Sequence, residues 1–372
     1  MEHTRELVRA TIEQLVHPLA DRGVPWAVTF GNHDFQCGLD NDEIESICRE
    51  FPGCINPERA ADGTTGIAVK HGVKHDVGDM EQDFGLPEQP VIACAPGTFA
   101  LSVTDVDRTY DVLGLVLLDS GDYARSGGYG SPSEAALRLL ADAPGLMAAQ
   151  SQQLQQDRQD EQDSPREPRK TPSTLPCMVF QHFPIEQYYR LLKPVAATAA
   201  RAIEGYRNFA GRHFVLNEDK TQPGSYLGEG VSCPDADSGE FAILDKAGYF
   251  AISAGHDHRN AFVGSVPVGT DGDRQMMMVA SPTSGFGSYG PVPAKRAARL
   301  FEFDIRHPYE PRTQLLEYDE LVGQAQRGQG LRLRHDQRIE ARFGRHGPAP
   351  QADVVEQDVE QAGLAVSPVA VC

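Results

Sequence analysis

Three short β-rich stretches of this chain each end in a turn that carries histidine. Trp26-Ala27-Val28-Thr29-Phe30 runs into Gly31-Asn32-His33-Asp34, Val179-Phe180-Gln181 into His182, and Ile252-Ser253-Ala254 into Gly255-His256-Asp257-His258. A neutral imidazole is a metal ligand and a charged one is an acid, while an amide oxygen ligates without adding charge. Open α/β sheets gather such groups at the carboxyl ends of their strands. The three turns are therefore expected to form one metal site, and the chemistry to be metal-assisted hydrolysis. His256 and His258 stand two residues apart, on one side of an extended backbone, and Gly255 permits a close approach. Asn32 and His33 are adjacent and diverge, which suits one to ligation and the other to work as an acid or hydrogen-bond donor. Each turn alone is a common polar turn. The coincidence carries the reading, because His71, His75, His213, His307, His335 and His346 lack the strand-then-histidine order.

The elements that must carry these turns alternate between helix and strand. Leu7, Ile12, Leu15, Val16 and Leu19 recur at helical spacing and predict an amphipathic helix over residues 4–20, closed by Asp21-Arg22-Gly23 with Gly23 as left-handed cap. Strands are predicted at 26–30, 91–95, 99–103, 112–118, 178–181, 249–254, 275–280, 300–305 and 314–318, and helices at about 41–51 and 133–156. Residues 119–123 are read as a polar loop. Residues 150–170, rich in Gln, Asp, Arg and Pro, cannot bury enough apolar surface to offset their ordering entropy and are expected to be a solvated insertion reaching about residue 173. Composition beyond about Val322 predicts a disordered tail over 322–372.

With 372 residues, the chain fits two domains or one large α/β unit. Its formal charge of -19 argues against a nucleic-acid binder, which needs a basic face. Seven dispersed cysteines without a C-x-x-C pair suit reduced thiols. No stretch is long and apolar enough to span a bilayer, and residues 1–6 are no signal peptide, so a cytoplasmic location is expected, with no membrane partner.

The motifs resemble the calcineurin-like metallophosphoesterases. Asn32-His33-Asp34 is similar to that family's Gly-Asn-His-Asp/Glu block, His182 to its lone downstream histidine, and Gly255-His256-Asp257-His258 to its closing Gly-His-x-His block, in matching order and separation. Residues 117–123, 255–260 and 284–290 bring the chain closer to the purple-acid-phosphatase-like branch, and the resemblance runs from about Pro25 to Leu321. It implies a β-sandwich flanked by helices in four αββα layers over 1–321, with a dinuclear centre at the strand ends. It further implies that Asn32, His182 and His256 bind one ion and His258 the other, while His33, oriented by Asp34, stabilises or protonates the leaving oxygen of a phosphate ester. Fe, Mn or Zn would suit those ligands. Asp119, Tyr123 and the 285–290 loop would border the cleft.

The family opens with Asp-x-His and Gly-Asp-x-x-Asp upstream of the Asn-His block, and neither motif stands in residues 1–30. The resemblance thus implies an N-terminally incomplete member that lacks the bridging Asp, binds at most one metal weakly, and is weak or inactive as written. A non-catalytic binding or scaffold relative is the alternative. A mononuclear zinc hydrolase using His182, His256 and His258 would leave Asn32 and His33 without a role.

Overall fold

The computed structural model describes residues 2–58, 68–70, 89–106, 110–161, 172–304 and 306–323. Its strands are Ala68–Lys70 (β1), Gln89–Ala95 (β2), Thr98–Thr104 (β3), Asp111–Leu118 (β4), Cys177–Gln181 (β5), Leu192–Val195 (β6), Ile203–Glu204 (β7), His213–Leu216 (β8), Ala251–Ala254 (β9), Phe262–Val268 (β10), Arg274–Ala280 (β11), Ala297–Glu302 (β12) and Arg312–Glu317 (β13). The α-helices are Glu2–Ala20 (α1), Asn41–Cys48 (α2), Glu134–Glu161 (α3) and Glu240–Ala247 (α4). Eight strands form one mixed sheet in the order β1-β2-β3-β4-β5-β9-β11-β10, so the chain is α/β as expected.

The centre of this sheet is parallel: β4 pairs with β5, β5 with β9 and β9 with β11. Strands covered on both faces read as near-continuous apolar runs, and residues 177–180 of β5, Cys-Met-Val-Phe, are such a run. Alternate side chains part to the two faces. Val116, Leu118, Val179 and Ile252 pack under Leu139, Leu140, Ala143 and Met147 of α3. Leu113, Met178 and Phe180 face the other way, where Phe301 of β12 meets Phe180 edge-on with ring centroids 5.5 Å apart. The hairpin of β12 and β13 covers that face at Phe180, and Ala27 and Ile55 pack on it at Leu117. Strands β6, β8 and β7 form a small separate sheet between β5 and α4.

Two expectations are corrected. Residues 26–30 do not form a strand; Trp26 alone makes a parallel bridge, to Cys54. Further along, the side chain of Asn56 stands where a partner strand would, accepting the Val28 N–H at 2.8 Å and donating to the Val28 carbonyl at 2.9 Å. One amide satisfies one residue and cannot propagate a ladder, so the apolar run stays a single extended segment. α3 runs on to Glu161, past the helix end expected near 156; Gln152, Gln153 and Gln156 are exposed there, while Ser151 is buried with its Oγ accepting the Asp111 N–H at 3.1 Å. The remainder of the expected insertion to 171, and the tail from 324, lie outside the described residues. Strand β10 and the small sheet were not read from the sequence. None of Cys37, Cys48, Cys54, Cys94, Cys177 and Cys233 is in a disulfide. No helix among the described residues is long and apolar enough to cross a membrane.

Candidate metal centre

The register of the parallel strands sets two imidazoles side by side. Gln181 is opposite Ala254 at the ends of β5 and β9, and pairing continues one step beyond, where the His182 carbonyl accepts from Gly255 N at 3.1 Å and His256 N at 2.9 Å. The rings lie 4.9 Å apart between centroids, with His256 Nδ1 3.0 Å from His182 Nε2. Asn32 arrives on the extended segment, whose start is fixed by Trp26 Nε1 donating to the Pro52 carbonyl at 2.9 Å. Beneath it, buried Glu45 accepts from Asn56 Nδ2 and Gly97 N, both at 2.9 Å, and from Arg49 at 2.8 Å, tying α2 to the β2–β3 turn. Gly31 is required for the approach: a Cβ there would stand 2.8 Å from Cε1 and Nε2 of His182.

Asn32 Oδ1 lies 2.9 Å from His182 Nε2, so that one nitrogen faces both an amide oxygen and a second ring nitrogen. An imidazole nitrogen holds either one proton or one lone pair, and Oδ1 only accepts. One well-aligned hydrogen bond serves only one of the two contacts, and serving both takes a single proton shared between two acceptors. Donor atoms about 2.1 Å from a metal ion and at right angles to one another stand about 3 Å apart, which fits both distances. Burial, reinforced by charge on His182, His258 and His33, pulls the His256 imidazole down to about 3, so its lone pair stays available. The residues present thus fit one cation. They reach three donors only by counting the amide, since among the described residues no three His, Cys, Asp or Glu side chains gather at metal-ligand spacing.

His258 and His33 flank this trio. His258 Nδ1 lies 2.8 Å from the Tyr289 carbonyl, so that nitrogen donates and Nε2 carries the lone pair, the tautomer that an outer-shell carbonyl selects in metal-binding histidines. The Tyr289 ring stacks on it at 4.4 Å. His33 is exposed, with Nδ1 2.9 Å from Gln36 Oε1. Asp34 does not hydrogen-bond His33 as expected; its Oδ2 accepts the Gly31 N–H at 2.6 Å and closes the turn, and burial raises its carboxyl. Two further carboxylates stand near and are likewise engaged. Asp119 accepts from Asn41 Nδ2 and Gly121 N, both at 3.0 Å. Asp257 turns inward to Ser232 N at 3.2 Å and Asn260 Nδ2 at 3.1 Å, and burial lifts it to about 7.

A cleft of about 400 Å³ opens beside the Gly31 turn, lined by Phe35, Asp40, Asn41, Asp119 and Asp122. Three aromatic residues complete the surroundings. Tyr123 Oη is 2.6 Å from Asn32 Nδ2, and Tyr129 and Phe183 meet the His256 ring edge-on at 4.4 and 4.9 Å. Tyr123 was expected at the cleft border; its bond to Asn32 and the part played by Tyr129 carry no sequence signal, because no spacing links them to the histidine turns. Comparison of the chain with family models, with curated proteins and with solved structures finds no match to any of them.

Proposed function

We propose that this chain is a metal-dependent phosphoesterase of the calcineurin-like kind, built on that family's sandwich. The observation that carries the reading is the convergence of Asn32 Oδ1, His182 Nε2 and His256 Nδ1 within 2.9 and 3.0 Å contacts, with His258 and His33 beside them. A bound metal ion would supply Lewis-acid polarisation of the ester and acidify a water. The residues do the rest. Asn32, His182 and His256 would hold the ion, His258 would offer its Nε2 from the same turn as His256, and His33, its Nδ1 held by Gln36, would protonate the departing oxygen. Phe183 and Tyr129 exclude water behind His256 and keep it neutral.

A second reading, a binding relative without turnover, is supported by the trio's neutrality: three uncharged donors do not offset a dication. Purified chain dialysed against Mn²⁺ or Zn²⁺ is expected to retain about one ion weakly and to hydrolyse an aryl phosphate slowly, with Asn32→Ala and His182→Ala abolishing retention. Metal binding that ignores both substitutions would sink the site. Binding of metal and inorganic phosphate with no turnover at any pH would favour the second reading.

A further inference from the structure

We infer that Tyr123 is the positioning residue that lets the buried Asn32 amide turn its oxygen toward the imidazoles, by accepting the N–H that this orientation would otherwise leave unsatisfied, an inference that rests on the metal reading of the site. A primary amide has two ends of similar shape and opposite chemistry, and only the oxygen can ligate. Asn32 is 1 % exposed, so water does not decide which way it points. With Oδ1 toward His182, the Nδ2 hydrogens face away from the imidazoles, and the acceptor Nδ2 reaches there is Tyr123 Oη at 2.6 Å. Without that hydroxyl the ligating orientation buries an unsatisfied N–H. The flipped amide would instead donate Nδ2 to the lone pair of His182 Nε2 and leave only a carbonyl oxygen short, the lesser penalty.

The loop that carries Tyr123 is closed firmly enough for this role. Tyr123 bridges Tyr129 across the turn, Gly130 N donates to the Asp122 carbonyl at 2.5 Å and Ala124 N to the Gly128 carbonyl at 3.0 Å. Arg207, at a φ of 41°, donates to the Gly127 carbonyl at 3.3 Å while its Nε and Nη2 grip Asp235 at 2.7 and 2.5 Å. Gly128 lets the guanidinium lie against the backbone, since a Cβ would stand 2.8 Å from Arg207 Nε. The Tyr123 ring, 44 % exposed, has His33 edge-on at 6.2 Å and Tyr129 at 5.9 Å.

The test is Mn²⁺ and Zn²⁺ titration calorimetry on the full chain and Tyr123→Phe, alone and in an Asn32→Asp background. Tyr123→Phe is expected to bind about ten- to a hundredfold more weakly, the usual cost of losing an outer-shell partner. Its unfolding temperature in chelator should stay near wild type, and the Asn32 side-chain amide hydrogens, assigned by their absence in Asn32→Asp, should exchange faster with solvent. In the Asn32→Asp background the same change should cost little, because both ends of a carboxylate ligate. Equal affinity of wild type and Tyr123→Phe, or an equal loss in the Asn32→Asp background, overturns the inference while leaving the site standing. A wild type that binds neither metal overturns the site reading itself, and this one with it.

Discussion

Contact between Gly31 and the His182 ring leaves no room for a methyl group, since an added Cβ would stand 2.8 to 2.9 Å from three ring atoms. Gly31→Ala is therefore expected to push His182 off Asn32 and His256, costing about 1–3 kcal/mol as overpacking does and most of the metal affinity. Calorimetry of unfolding and of metal binding separates the two effects, and an unchanged affinity would show that His182 has slack. At this scale the sequence was legible where residue type and position after an apolar run sufficed: Asn32, His182, His256 and His258 were all named from that grammar. Asp34 was assigned to His33 by resemblance, and its carboxylate instead closes its own turn on Gly31, a choice set by the backbone geometry of the turn rather than by residue type. Tyr123 Oη meets Asn32 across 91 positions of chain, and only the folded loop brings them together.

The element that presents Asn32 depends on a side chain for what strands normally get from backbone. Asn56→Ala would orphan the N–H and C=O of Val28 and remove one of Glu45's partners. A loss of about 1–3 kcal/mol for each buried group left unsatisfied is expected, measured by denaturant unfolding; a loss within a few tenths would mean water replaces the amide. Asp40 caps α2 through Glu43 N at 2.9 Å, and Glu43 returns the bond to Asp40 N at 3.0 Å. Asp40→Ala should accordingly cost about 1 kcal/mol, a reference against which the Asn56 effect can be judged. The five-residue run at 26–30 was misread as a strand because local β propensity counts apolar and branched residues but not neighbours. The central strands were legible for the opposite reason: burial on both faces writes itself into composition, as in Val-Leu-Gly-Leu-Val-Leu-Leu of β4. Residues 150–161 look solvated by composition, yet α3 continues through them, one buried Ser151 reaching β4.

Across the whole molecule, acidity bears on stability through a carboxyl that is not on the surface. Glu240, buried at the start of α4 and hydrogen-bonded to Gln181, is raised from 4.5 to about 8, chiefly by burial and further by Asp237. Near neutral pH the folded chain keeps that proton and the unfolded chain gives it up, so this group's contribution is fully present below about pH 4.5 and drains away as pH climbs toward about 8. Glu240→Gln, which has no proton to lose, should gain on the wild type in thermal unfolding between about pH 5 and about pH 8; parallel curves would show that the carboxylate finds compensation when ionised. The sheet that buries Glu240's partner also divides the site into unequal halves. His182 and His256 ride on β5 and β9, locked between parallel neighbours, whereas Asn32 rides on a segment held by one bridge, the Trp26 indole bond to Pro52 and one borrowed amide. Local opening begins where backbone bonds are fewest, and amide hydrogen exchange at Val28 should outrun that at Val179 and Ile252. A cation cradled here would leave by the Asn32 door: its residence time would be set by how often residues 26–32 unlatch from Asn56, while the two imidazoles hold their spacing and wait to recapture it.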